Sequence, residues 1–339
     1  MKRSSCDAIL GIALLITLIL CPPALAELTF HGDLESNTDY VTTDDDSTDT
    51  STTEYASGGR IKFTPTARTE SGNLFFEVTA QFLAQIDGDV NTDDVYGKVG
   101  TSTFDFQIGR WEAWDLFAKN DIYIASAPNG CDRYETNYAR GRMAGPGQLA
   151  LHVTPNDTFA LEVAAVYGAE GSDNYAGLRP VVDLKFGMVE FLAGFDYLTI
   201  SPQNDDSEDD ATKAGYGARV QATFGIASLY INYGHGVVSE KIAGVDQPDE
   251  TTTSYGANVV LALGPGSLTL AGIMTTQEIE DSDYDCSHNQ YYISYAHPLP
   301  IDGAAIKFAY SMADATQESA AGDLDGSASG FRVRITYDF

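Results

Sequence analysis

The sequence predicts an all-β chain, an antiparallel β-barrel of sixteen strands that crosses a membrane. Three observations carry this. In the last ten residues Phe331, Val333, Ile335, Tyr337 and Phe339 alternate with Arg332, Arg334, Thr336 and Asp338. A period of two over such a length is a strand with lipid on one face and water on the other. Beyond residue 26 no segment approaches the roughly 18 consecutive apolar residues of a membrane helix. Finally, the connectors between alternating segments are sorted by length, short ones taking turns with long acidic ones, as hairpins on the two sides of a membrane do.

The N-terminus addresses the chain for export. Lys2 and Arg3 precede an apolar run of 14 residues, 8–21, and Ala24-Leu25-Ala26 places small residues where a signal peptidase cuts. The run falls short of the about 20 residues of a spanning helix. Residues 1–26 therefore read as a cleaved signal peptide and 27–339 as the barrel. Pro22 and Pro23 follow Cys21 where a lipoprotein site would have a small residue. Removal of Lys2, Arg3 and Asp7 leaves 17 of the 19 basic and 48 of the 49 acidic residues, a formal charge of −31. That sign argues against nucleic acid as a partner, because phosphate binding needs the opposite one. Of the four cysteines, Cys131 and Cys286 stay in the mature chain. An oxidising periplasm permits them to pair, and the sequence leaves open whether they approach closely enough.

Taken in order, Leu28, Phe30, Gly32 and Leu34 open the first strand, with His31, Asp33 and Glu35 on its other face. Ile61, Phe63 and Ala67 mark the second, opposite Arg60, Lys62 and Arg68. The third, 74–86, has one wholly apolar face and exceeds the about 9–11 residues that a tilted membrane strand needs. A short fourth strand, 95–99, and a fifth with Phe104, Phe106 and Ile108 lead to an interruption over 110–137. Alternation resumes at Leu149 and turns at 155–157. Strand pairs then flank Gly187, Gly225, 264–267 and 298–303 before the sixteenth strand at 330–339. The long connectors are 42–54, 87–94, 199–212, 239–252, 278–289 and 313–327. Phe30, Tyr197, Tyr216, Tyr233, Tyr255 and Tyr337 fall near strand ends, where aromatic rings suit the membrane interfaces.

Sixteen alternating segments, short turns opposed to long loops, a terminal Phe339 and a long third loop resemble the general bacterial outer-membrane porins of the trimeric type. The resemblance covers the whole mature chain. It implies a barrel in outer-membrane lipid and lipopolysaccharide, a homotrimer, and Phe339 as the signal for the barrel-assembly machinery. It also implies that the third loop folds into the lumen, its acids facing a basic wall. Carried over by position, the acids are Glu112, Asp115, Asp121, Asp132 and Glu135; the bases are Arg60, Lys62, Arg68 and Lys98, joined by Arg140 and Arg142. The Pro-Glu-Phe-Gly-Gly tip of many such loops is missing. Gly109-Arg110-Trp111-Glu112-Ala113-Trp114-Asp115 stands instead and is similar to an element of sugar-associated porins. Trp111 and Trp114 are the only tryptophans, and they are either a stacking surface for sugar rings or packing of the loop against the wall.

A closed barrel of sixteen strands encloses more space than its side chains fill, so a water-filled channel is expected. The expected function is passive diffusion of ions and small hydrophilic solutes with a mild preference for cations, since an acidic mouth concentrates them. Two alternatives stay open: a carbohydrate-selective pore, and a plugged barrel acting as an adhesin. An enzyme is not expected. His31, His152, His235, His288 and His297 show no metal or catalytic spacing, and no nucleophile elbow is present. No cofactor or dedicated metal site is expected. The acidic runs 44–46, 205–210 and 281–285 read as solvated, with Ca²⁺ shared with lipopolysaccharide phosphates as the one metal expectation.

Overall fold

In a computed structural model of the chain, the described residues are 26–117, 124–131, 147–203, 209–320 and 322–339. The signal peptide thus lies outside them, apart from Ala26. The strands are β1 (Glu27–Asp45), β2 (Thr50–Ser71), β3 (Leu74–Gln85), β4 (Val90–Gly100), β5 (Phe104–Arg110), β6 (Gly147–Asn156), β7 (Phe159–Glu170), β8 (Asp173–Phe186) and β9 (Val189–Pro202). They continue as β10 (Asp210–Phe224), β11 (Ala227–Ile242), β12 (Val245–Asp246), β13 (Glu250–Leu263), β14 (Gly266–Ile279), β15 (Asp285–Pro298), β16 (Ala304–Glu318) and β17 (Leu324–Asp338). β12 is a two-residue return on the end of β11. The other sixteen form the wall, each antiparallel to its neighbours, and β1 pairs with both β2 and β17 to close it.

Alternation in the sequence becomes the two faces of that wall. Ile61, Phe63, Leu74, Phe76, Phe104, Phe106 and Ile108 are exposed on the outside. Gln148, Glu162, Arg179, Asp196 and Ser254, on the opposite parity, are almost wholly buried inside. Polar residues on the buried face and apolar ones on the exposed face invert a soluble core, as a barrel solvated by lipid requires. Aromatic rings stack sideways along the outer face. Tyr216, Tyr233 and Tyr255 form a row on β10, β11 and β13 with centroids 5.9 and 5.3 Å apart. The short turns are tight: Gly187 and Gly225 are each the first of two turn residues at φ near +60°, a conformation that costs glycine nothing.

The strands are longer than the sequence suggested, at the expense of the outer connectors. β1 runs to Asp45 and β2 starts at Thr50, so most of 42–54 is hairpin rather than loop. The tips left over include 46–49, 86–89 and 280–284. The fourth strand, expected at 95–99, begins at Val90. The 22 residues of β2, at a rise of about 3.3 Å and a tilt of about 40°, climb roughly 55 Å, about twice the ~25 Å apolar band of such barrels. The excess is a polar collar above the lipid. There both faces meet water, period-two hydropathy fades, and the chain reads as loop.

At the seam β17 closes against Asp33–Asp45, with Asp33 opposite Asp338 and Tyr40 opposite Phe331. Phe339 extends the ladder by exchanging backbone hydrogen bonds with Gly32, 2.9 Å and 2.8 Å. A Cβ on Gly32 would collide with the Phe339 ring, so this glycine makes room for the terminal aromatic on the lipid face. Phe331, Ile335, Tyr337 and Phe339 are exposed outside as expected, and Arg332 and Arg334 turn inward.

Candidate channel constriction

Between the end of β5 at Arg110 and the start of β6 at Gly147 lies the third connector, longer than the 110–137 read from sequence. Its described parts, 111–117 and 124–131, lie against the inside of the wall. Arg110 ends β5 on the outward parity, and its guanidinium donates to the Thr92 carbonyl, 2.8 Å. At Trp111 the chain turns in. Its backbone N–H donates to Gln148 Oε1, 2.6 Å, and its indole, 4% exposed, packs on Ala150, Ala164 and Tyr96. The Arg179 guanidinium lies 5.4 Å from the ring centroid. Trp114 stacks on His152 at 6.1 Å and packs beside Leu116, Val181 and Leu192. Both indoles are engaged with the wall.

The described residues on either side of 118–123 touch strands far round the wall from β5. Phe117 reaches β13, where a Cβ on Gly256 would stand 2.9 Å from its ring. On the far side Ile124 lies over Gly330, and the Ala125 N–H donates to Ser311 Oγ, 3.1 Å. Ala127 packs on Ala313 and Ala315, and the Pro128 carbonyl lies over Gly326. Asn129 Nδ2 donates to Asp45 Oδ1 and to the Asp325 carbonyl, 3.3 and 3.2 Å. Over the outer halves of β16 and β17 the inward residues include Ala309, Ser311, Ala313, Ala315, Gly326, Ala328 and Gly330. This track of small side chains leaves a trough for the connector. The sequence reading missed it, although small residues at every second position of the last two strands were its visible signal.

Among the acids, Glu112 is exposed at a cavity of about 280 Å³ that Asp94, Lys98, Asp105, Trp114 and Glu162 also line. Its backbone N–H donates to Asp94 Oδ1, 3.3 Å. Asp115 accepts from the Phe117 N–H, 2.8 Å, and so caps the inward turn rather than pointing freely into the channel. Asp121, Asp132, Glu135, Arg140 and Arg142 lie outside the described residues.

The basic wall is not a bare ladder. Arg60 pairs with Asp33 and Glu35, 3.7 and 3.6 Å, and Lys62 with Asp93, 3.5 Å. Arg68 bonds Glu70 and Glu77 near the short-turn rim, away from the connector. Lys98 lies 5.2 Å from the Tyr96 ring and shares the cavity of Glu112. Two bases that the sequence reading placed only on the channel face join this wall: Arg332 grips Asp39 through two nitrogens, and Arg334 reaches Asn37 and Glu35, 2.6 and 3.5 Å. In the cavity shared by Glu112 and Lys98, His152 bridges Asp105 and Glu162, 2.7 and 3.3 Å. Cys131 and Cys286 come together beside β14 and β15, both buried.

A closed wall, a polar interior and a connector laid against the inside of the wall describe a narrowed channel. A family profile described as Gram-negative porin matches residues 11–339. The chain belongs to the Gram-negative porin family. It is an outer-membrane channel. Solved porin-like structures agree in fold. A loop L8 deletion mutant of OmpT, an outer membrane protein of Vibrio cholerae, superposes with a TM-score of 0.71 at 15% identity, over 93% of this chain and 99% of that one. The in-vitro folded trimer form of OmpT gives 0.67 at 15% identity, again over 93% and 99%. An anion-selective porin from Comamonas acidovorans gives 0.65 at 16% identity, over 93% and 100%. No curated protein sequence matches the chain significantly.

Proposed function

We propose that this porin passes ions and small hydrophilic solutes passively, with a preference for cations, and works as a homotrimer. Charge carries the selectivity reading. The wall bases Arg60, Lys62, Arg68, Arg332 and Arg334 each have a carboxylate partner on the wall itself. The chain as a whole carries 49 acidic against 19 basic residues. With the bases locally matched, the remaining carboxylates set the sign of the field in the vestibule, and a low-dielectric mouth focuses it. Fold does not fix that sign, since a barrel of the same shape is named anion-selective. Reversal potential in a planar bilayer under a KCl gradient tests the reading. The expected polarity is that of K⁺ preference; a Cl⁻ polarity refutes it, and purified protein without open steps refutes the channel.

The trimer reading is supported by the trimer form of a structural neighbour and is tested by cross-linking in detergent. Phe339, seated on Gly32, is proposed as the group read by the assembly machinery; Phe339→Ala should lower the amount of folded barrel in the membrane. Among the described residues no three His, Cys, Asp or Glu are grouped to hold a metal ion. Ca²⁺ at the outer rim would therefore draw ligands from lipopolysaccharide phosphates as well, and chelator should loosen that contact.

A further inference from the structure

Cys131 and Cys286 stand 155 residues apart in the sequence, and the fold brings them into contact. Cys131 ends the stretch of connector that lies along the trough. Cys286 sits one residue inside the outer end of β15, on the inward parity shared with His288 and Gln290. Cys131 Sγ lies 3.9 Å from the Thr275 carbonyl of β14. Cys286 Sγ lies 3.7 Å from the carbonyl of Asn129, two residues before Cys131. The two thiols also hydrogen-bond each other. The backbone around them is held: His288 Nδ1 bonds the Cys131 carbonyl, 3.0 Å, and a Cβ on Gly130 would stand 2.9 Å from the same ring. Both side chains are buried, 5% and 0% exposed. The pair thus joins the connector to the wall at one fixed place.

We propose that in the mature porin Cys131 and Cys286 are joined as a disulfide that pins the connector to β15. The outer membrane is reached through an oxidising compartment, where a proximal pair of thiols does not persist. The oxidant is a disulfide-bearing thiol oxidant met during passage through the periplasm, before the barrel shuts. The thiolate of Cys131 attacks the oxidant's disulfide, forming a mixed disulfide and releasing one oxidant thiolate. The thiolate of Cys286 then attacks the Cys131 sulfur, forming the Cys131–Cys286 bond and releasing the second. The protons given up by the two cysteines end on the reduced oxidant, so two thiols and one disulfide become one disulfide and two thiols.

The connector spans 36 residues, 111–146, between β5 and β6. A pin at Cys131 divides that excursion into two shorter spans and removes conformational freedom from both. The consequence is a constriction of fixed width. The bond is independent of ion preference and of oligomeric state.

Thiol labelling of the whole protein, purified from outer membranes in detergent and denatured, tests it. Without reductant the expected result is no maleimide label and an intact mass two hydrogens below that of the dithiol; with reductant, both cysteines label. Label on both cysteines without reductant overturns the proposal, as does a reductant-sensitive covalent dimer. A second measurement addresses the pin itself. A Cys131→Ser/Cys286→Ser variant that retains the heat-modifiable mobility of a folded barrel should show several-fold more frequent brief closures in single-channel records. Records indistinguishable from the parent overturn the mechanical role. If the variant fails to fold, reductant added to the reconstituted parent supplies the same comparison.

Discussion

Trp111→Ala distinguishes packing from ligand stacking at the connector. The indole is 4% exposed and rests on Ala150, Ala164 and Tyr96, with the Arg179 guanidinium 5.4 Å from its centroid. Truncating a buried aromatic to Ala costs about 3–5 kcal/mol, and loss of a ring beneath a cation adds about 0.5–2 kcal/mol. The hole opens toward a wet lumen, and water refilling it moves the sum to the low end, about 3.5 kcal/mol. That corresponds to roughly two and a half orders of magnitude in the unfolding equilibrium. The backbone bond from Trp111 to Gln148 survives the change, so the entry turn persists while its anchor is lost. The assay is urea unfolding in lipid vesicles, followed by circular dichroism, with Trp111→Phe as a milder variant expected to retain most of the stability. A midpoint within about 0.5 kcal/mol of the parent, together with loss of an oligosaccharide block that the parent shows, would refute the packing argument and establish stacking.

Other consequences follow from the same contacts. Gly330→Leu places a side chain where even Cβ meets Ile124 Cγ2 at 2.7 Å, so the connector should lift and the conductance change; Gly97→Ala, with nothing nearer than 3.8 Å, should not alter it. Arg332→Met leaves Asp39 unpaired at a site where both side chains are about 15% exposed. It should cost about 1–3 kcal/mol, part of it recovered in the double variant with Asp39→Asn, as a double-mutant cycle would show. Glu112→Gln removes an exposed carboxylate from the constriction and should move the reversal potential toward zero. At the outer tip, hydrogen bonding from the Ser47 side chain, with Asn129 adding to it, holds the Asp45 carboxyl below its ordinary range. A depressed folded value means that the contact is fully present above about pH 4 and is lost only as pH falls through the depressed value. Channel noise should therefore rise for the parent only as pH falls through the depressed value, whereas Asp45→Asn, which lacks the charge at every pH, should show the raised noise without that pH step.

Fold class was legible because lipid and water impose opposite demands on alternate residues, and Phe331 to Phe339 display that directly. The strand ends were not legible. Thr42 to Asp45 and Thr50 to Thr53 are paired strand beyond the level of the Tyr40–Phe331 pair, polar on both faces, and no hydropathy period survives there. The wall pairs were hidden for a different reason: Glu35 and Asp33 meet Arg60 only once the β1–β2 register is known, and Lys62 finds Asp93 two strands away. Parity had placed Arg60 and Lys62 inside, and it holds no information about their partners. The connector carries no period at all. Its course is written instead in the small residues from Ala309 to Gly330, which are visible in sequence but intelligible only as the negative of something laid upon them.

The collar above the lipid has a consequence for the cell surface. Proteases and sheet-pairing ligands both need several extended residues with unspent backbone hydrogen bonds. Between β1 and β2 the irregular chain is only residues 46–49; β1 up to Asp45 is bonded on both edges, and β2 is bonded to β1 from Thr50 and to β3 only from Arg60, which leaves 50–58 one open edge for a sheet-pairing ligand. What this porin presents outward at that hairpin is a bonded ribbon ending in a short turn. Intact cells treated with a broad-specificity protease should keep it uncut there, while the aqueous path through its centre stays open to solutes.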